Sequence, residues 1–92
     1  MSRMGTFEEV FSSRGRSRII AILARVGELN VSEISRRARL NHSTVKEHLR
    51  FLKEVNLVEE KVFGRIRIYR FKSETVYGRA IKNLVELWDS DI

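Results

Sequence analysis

At Asn56 the hydrophobic period of the chain changes, from the roughly 3.6 residues of a helix to the alternation of a strand. Before it, Val45, Leu49 and Leu52 recur at i, i+4, i+7 with His48 beside them. After it, Leu57 to Phe63 and Arg65 to Phe71 alternate around Gly64, which supplies the positive φ of a tight hairpin. This change constrains the fold more than any other feature: helices lie on one side of it and a hairpin on the other.

The stretch from Asn41 to Leu57 is the one around which the rest is organised. Asn41 is a good N-cap, because its side-chain carbonyl accepts from an otherwise orphaned amide of the first turn. Asn56 suits the left-handed residue that ends a helix. At about 100° per residue, Ser43, Glu47, Arg50 and Glu54 project opposite the apolar stripe, with Lys46 and Lys53 on one shoulder. Residues 41–54 therefore read as a helix anchored on one side and armed with hydrogen-bonding groups on the other, the form of a recognition helix.

Upstream, Phe7, Val10 and Phe11 surround Glu8 and Glu9 in one or two helical turns, and Ser12 to Ser17 reads as a turn. Ile19, Ile22, Leu23 and Val26 predict a helix that closes at Gly27. Leu29 to Val31 leans towards β structure. Ser32 and Glu33 open a further helix, with Ile34 and Ala38 inward and Arg36 and Arg37 outward, and Leu40–Asn41 turns into the organising helix. Two short helices so joined make a helix-turn-helix, and the hairpin 57–71 after them makes a wing. Beyond Ser73-Glu74, the residues Tyr77, Ala80, Ile81, Leu84 and Trp88 mark a long amphipathic helix, whose stripe Val76, Val85 and Leu87 widen. The expected fold is mainly α with a small β-hairpin wing, a winged helix-turn-helix of order α-α-α-α-β-β-α. Residues 1–92 form one domain without linker or repeat.

Charge and composition narrow the function. The net charge is +6 and the sequence pI about 10.3, which favours a polyanionic partner. Cysteine is absent, which excludes a disulfide framework, a thiolate metal site and a cysteine nucleophile. Met1 to Gly5 leads into mixed charge with no apolar signal region, and no apolar run reaches the roughly 20 residues of a membrane span. A cytoplasmic location with no membrane partner is expected. The lack of Gln and Cys beside abundant Arg leans towards a thermophilic or archaeal source. No nucleophile–base pairing, Gly-rich phosphate loop or metal-ligand cluster suggests an enzyme, and no cofactor is implied.

Several stretches, in order and spacing, resemble the ArsR-type bacterial and archaeal repressors. Arg16-Ser-Arg-Ile-Ile-Ala-Ile-Leu23 is similar to the start of that family's second helix, and Ser43-Thr-Val-Lys-Glu-His-Leu-Arg-Phe-Leu52 to its recognition helix. Leu57-Val58 and Gly64-Arg65-Ile-Arg-Ile-Tyr69-Arg-Phe71 resemble its post-helix strand and wing. The resemblance spans Arg16 to Phe71 and implies a winged helix-turn-helix that binds DNA. It departs from the family's metal sensors, which carry cysteine pairs or His and acidic ligands on the last helix. The turn after the recognition helix also has Asn56 where the family usually has Gly.

The major-groove candidates are His42, Ser43, Thr44, Lys46, Glu47 and Arg50. Arg50 has the fork to engage guanine O6 and N7, worth about 1–3 kcal/mol of discrimination. Ser43 and Thr44 suit a phosphate as well as a base. Glu47 either accepts from cytosine N4 or orients Arg50. Arg65 and Arg67 on the wing fit the minor groove or its phosphates, or else guard a sheet edge. Arg36 and Arg37 fit phosphate contacts, while Arg14, Arg16 and Arg18 are divided between phosphate contact and internal pairing. Phe51, Tyr69 and Phe71 have the spacing of core rather than of base-stacking platforms. His42 and His48 fall about 120° apart on the helix and are too few for a metal site. His48 reads as a core histidine bonded to backbone.

The terminal helices, about 6–12 and 74–89, are expected to form a homodimer interface through Phe7, Phe11, Tyr77, Ala80, Ile81, Leu84 and Trp88. Glu8, Glu9, Glu86, Asp89 and Asp91 keep that end acidic and away from DNA. Together these features predict a homodimeric transcription regulator reading double-stranded DNA by sequence. Helix 41–54 would lie in the major groove with wing 57–71 flanking it. The rivals are a sequence-tolerant, chromatin-like architectural protein and a winged helix used as a protein-interaction module.

Overall fold

Polar side chains punctuate the chain. In the computed structural model, which describes residues 5–90, every helix begins on a side chain that accepts a backbone N–H from its first turn. Thr6 and Ser13 cap α1 (Phe7–Val10) and α2 (Arg14–Val26) by accepting from Glu9 and Arg16. Asn30 and Asn41 cap α3 (Val31–Ala38) and α4 (His42–Glu54), each Oδ1 lying 2.8 Å from the amide of the third helical residue. Thr75 Oγ1 accepts from Gly78 at 3.0 Å to start α5 (Val76–Ser90). Such caps satisfy donors that the helix itself leaves orphaned. The expected lack of a leader at Met1–Gly5 and the expected acid at Asp91 fall largely outside the described residues.

Three strands complete the chain: β1 (Glu28–Asn30), β2 (Val58–Phe63) and β3 (Ile66–Phe71). They form an antiparallel sheet of order β1-β3-β2, with Leu29 opposite Tyr69 and Val58 opposite Phe71. The ladder closes at Phe63 and Ile66 around Gly64-Arg65, where Gly64 has φ +61°. Positive φ at the first turn position alone is the pattern of a type II′ hairpin. Asn56 adopts φ +67°, as its place after α4 suggests.

Four expectations need correction. The order is α-α-β-α-α-β-β-α, because Glu28–Asn30 pairs with β3 and is a strand in its own right. Ser12–Ser17 is not all turn: Ser13 caps a helix that already includes Arg14, Gly15 and Arg16. A Cβ at Gly15 would lie 3.2 Å from Leu40, so the first turn of α2 packs closely on the inter-helix turn. In α2 the buried stripe is Ile19, Ile20, Leu23 and Ala24, while Val26 is exposed. Finally, α3 starts at Val31, with Asn30 rather than Ser32 at its N-terminus.

The core lies where α2, α3 and α4 meet the sheet. Ile19, Leu23, Ile34, Val45, Leu49 and Leu52 are fully enclosed, and Val58, Tyr69 and Phe71 close it from the sheet side. Burial of this kind contributes about 1.5–3 kcal/mol per large side chain. Helix α5 lies on α2, joined by Arg25 to Asp89 at 2.8 Å and by Lys82 Nζ to the Ala24 carbonyl at 3.1 Å. Its Ile81 and Val85 pack on the core, while Tyr77, Leu84 and Trp88 stay exposed. Among the described residues no helix is long and apolar enough to cross a membrane.

Candidate nucleic-acid interface

The mounting of α4 determines what it can present. Val45, Leu49 and Leu52 are fully buried along one side, so the helix cannot roll without opening the core. Its entry turn is fixed as well. Ser35 Oγ donates to the Leu40 carbonyl, Leu40 N donates to the Ser35 carbonyl at 3.2 Å, and Arg18 Nη1 donates to the Ala38 carbonyl at 2.7 Å. Arg18 is thus engaged internally.

Arg16 is engaged internally too. Its Nε donates to His48 Nδ1 at 3.2 Å, its Nη1 to the Glu9 carbonyl, and its guanidinium lies 3.9 Å from the Phe51 ring centroid. Phe51 therefore carries a cation on its face and packs inward, and Tyr69 and Phe71 are buried. Against the expectation of a core histidine bonded to backbone, His48 is only half-buried and its partner is a side chain, because Arg16 reaches it from α2. Burial first, and the Arg16 charge second, hold its imidazole below the ordinary histidine range.

On the outer side of α4, His42, Ser43, Lys46, Glu47 and Arg50 are exposed and Thr44 is half-buried. Lys46 and Arg50 make no ion pair among the described residues, and Glu47 is not bonded to Arg50. Other candidate cations differ. Arg36 and Arg37 share Glu33, at 2.7 and 3.4 Å, and Arg67 is held by Glu60 at 2.8 Å. Exposed pairs of this kind are weak, so these cations remain able to exchange a carboxylate for a phosphate. Arg65, at the turn of the wing, is exposed without such a partner among the described residues.

Two residues in this region escaped the sequence reading. Glu60 gathers the Tyr69 hydroxyl at 2.8 Å, Arg67 at 2.8 Å and Lys53 at 3.1 Å, tying the last turn of α4 to the wing. These bonds, led by that of Tyr69, hold its carboxyl down to about 2. Burial and the bond to Glu60 push the Tyr69 hydroxyl up to about 12. Strand alternation that puts Val58 inward also puts Glu60 on the Tyr69 side, which was the available signal. The other is Arg39, exposed in the turn between α3 and α4 with φ +58°. A shallow depression lies between wing and helices, lined by Asn30, Ser32, Lys46, Arg65, Ile66 and Arg67 and by no carboxylate.

No group of three or more His, Cys, Asp or Glu is placed to hold a metal among the described residues. At the opposite end, Tyr77, Ala80, Leu84 and Trp88 share an exposed side of α5, whereas Ile81 and Phe11 pack against the chain's own core. Phe7 is exposed and its ring centroid lies 5.0 Å from that of Phe11.

Comparison with known proteins places this arrangement. The family described as "Bacterial regulatory protein, arsR family" matches residues 13–60, which run from the cap of α2 into β2. A possible transcriptional regulator for arsenical resistance is similar in structure at 32% identity, with 89% of this chain and 79% of that one covered and a TM-score of 0.65. The transcriptional repressor BigR from Xylella fastidiosa shares the fold at 20% identity, covering 90% and 79%, with a TM-score of 0.74. Reduced HlyU from Vibrio cholerae does so at 24% identity, covering 86% and 80%, with a TM-score of 0.73. Among curated proteins, none matches the sequence. With its helix-turn-helix and the start of its wing inside the matched segment, this chain belongs to the arsR family of DNA-binding transcription regulators, which are not enzymes.

Proposed function

We infer that the protein is a homodimeric regulator that recognises a specific sequence in double-stranded DNA, acting in the cytoplasm. Residues 1–92 act as one winged-helix unit, with α4 entering the major groove and the wing flanking it. The observation that carries this reading is the outer side of α4. There Lys46 and Arg50 stand exposed without a carboxylate partner among the described residues, on a helix whose other side is locked into the core. A rigid mount is what base readout needs, since a bidentate contact tolerates little rotation of the helix.

His42, Ser43 and Thr44 sit at the positive end of α4, where a phosphate is favoured. Lys46, Glu47 and Arg50 reach base edges. Arg65, Arg36 and Arg37 contact the backbone, with Arg67 joining them when it leaves Glu60. Much of the affinity then comes from released counterions and falls steeply with salt. Dimerisation through Phe7, Tyr77, Ala80, Leu84 and Trp88 would set two recognition helices about 34 Å apart, one turn of the duplex. The absence of cysteine leaves no thiolate for an arsenical or a soft metal, so no effector of that kind is proposed.

The test is selection from a random duplex library at near-physiological salt, with bound DNA sequenced. An enriched inverted repeat supports the reading and reports the half-site spacing. Retention without enrichment would replace it with a sequence-tolerant architectural role. No retention even at low salt would remove DNA as the partner and direct attention to the terminal helices.

A further inference from the structure

The wing carries more apolar surface at its end than its own packing uses. Val62, Phe63 and Ile66 are 54%, 60% and 54% exposed. Phe63 and Ile66 are ladder partners across the turn and share the sheet face opposite Tyr69 and Phe71, with half-buried Ile68 behind them. Along the unpaired edge of β2 the middle of the strand is guarded by Glu59, Glu60 and Lys61. That protection stops short of the tip.

The surroundings say what such a tip would meet. Arg65 stands in the turn between Phe63 and Ile66, and Ile66 itself borders the carboxylate-free depression that also holds Lys46 and Arg67. Apolar side chains rimmed by cations, of which Lys46 and Arg65 make no ion pair among the described residues while Arg67 is shared with Glu60, complement a duplex, whose phosphates flank a groove floored by base edges and sugars. An apolar protein surface would cover Phe63 and Ile66 but strand the cations. Through Lys46 the depression also continues onto the exposed side of α4, so one partner spanning both surfaces accounts for all of them.

We propose that the wing tip is a wedge for the DNA minor groove: Phe63 and Ile66 press into a base-pair step, partly unstack it and bend the duplex, while Arg65 lies in the groove beside them. This rests on the DNA-binding reading above. Apolar wedges act in this way because the bend they induce lets the duplex meet more protein surface. Pyrimidine–purine steps unstack at least cost, so the wing selects for such a step where it makes no hydrogen bond to a base. Specificity then has two sources, hydrogen bonds at α4 and deformability at the tip.

The experiment measures end-to-end energy transfer in doubly labelled duplexes taken from the selected pool, or from the unselected pool if no sequence is enriched. Wild-type protein is compared with Phe63→Ser/Ile66→Ser. Wild type should shorten the end-to-end distance, and the double variant should lose most of that bend and bind about tenfold more weakly. Both side chains are exposed, so the thermal midpoint should hold. If the double variant does lose its fold, Ile66→Thr, which keeps a β-branched residue in the strand, reads the same bend. A variant that bends DNA like wild type, or a duplex left straight by wild type, overturns the wedge while leaving DNA binding intact. Failure of wild type to retain any duplex overturns the DNA reading itself.

Discussion

Arg16 Nε donates to His48 Nδ1 across 3.2 Å, joining α2 to the inner side of α4 over 32 residues of sequence. The same guanidinium reaches the Glu9 carbonyl of α1 and covers Phe51, so one side chain braces three helices. For Nδ1 to accept, the imidazole must be neutral with its proton on Nε2. Protonation would place a second cation against Arg16.

The stability of the fold should therefore respond to mild acid. His48 has a folded-state pKa below its unfolded value, because burial and Arg16 oppose its charge. Its contribution is present above the unfolded value near about 6.5 and is lost as pH falls through the folded value. Glu60 and Glu74, held down to about 2, contribute stability that is lost only at lower pH, below the ordinary carboxylate value of 4.5. Urea midpoints measured from pH 7.5 downward should show an early decline that His48→Gln removes. An unchanged early decline in that variant would assign it to another group.

Gly78 is a helical glycine where alanine should harm. An added Cβ would lie 2.0 Å from the Lys72 carbonyl oxygen and 2.8 Å from Thr75 Oγ1, the cap of α5. In an unconstrained helix Gly→Ala stabilises by about 1 kcal/mol. Here Gly78→Ala should destabilise by about 1–3 kcal/mol, because backbone must move to admit the methyl group. The sign of the change in chemical-denaturation free energy decides between the two.

Arg39 occupies left-handed backbone that Gly enters more easily. Arg39→Gly should leave the stability equal or raise it by up to about 1 kcal/mol. If the exposed guanidinium meets a phosphate, the same variant should bind DNA more weakly on every sequence, with the salt slope reduced by about one. Thermal melts and DNA titrations at several salt concentrations separate these effects.

Arg50→Ala should behave differently. Loss of a bidentate base contact costs about 1–3 kcal/mol at one base pair and relaxes preference there alone. Repeating the library selection with the variant reads this directly, and an unchanged sequence logo with uniformly weaker binding would make Arg50 a phosphate contact.

The exposed side of α5 should govern assembly. Trp88 is 74% and Tyr77 70% exposed, a large aromatic area for a chain of 92 residues to leave in water. Trp88→Ser with Leu84→Ser should weaken the proposed dimer by about 2 kcal/mol or more, as loss of a buried aromatic anchor does. Ile81→Ser, on the core-facing side, should instead lower the thermal midpoint. Sedimentation equilibrium and thermal melts distinguish the two classes.

Much of the backbone could be read from neighbours in sequence. Asn41 as a cap, Asn56 and Gly64 at positive φ, and the buried stripe of α4 all depend on local chemistry: a side chain bonding its own next turn, a residue tolerating left-handed backbone, or a period recurring within two turns. Tertiary structure decided the rest. Glu28–Asn30, where Leu29 already leaned towards β structure, became a strand by pairing with the edge of β3, and Arg14–Ser17 joined the helix that Ser13 caps, with Gly15 packed close to Leu40. The cations were indistinguishable as a list of arginines and lysines. Folding sorted them, turning Arg16 and Arg18 inward, giving Arg36 and Arg37 to Glu33 and Arg67 to Glu60, and leaving Lys46 and Arg50 exposed without a carboxylate among the described residues. Charge count is a property of the sequence, but charge availability depends on which carboxylate comes within a few ångströms, and for Arg67 only strand pairing brings it there.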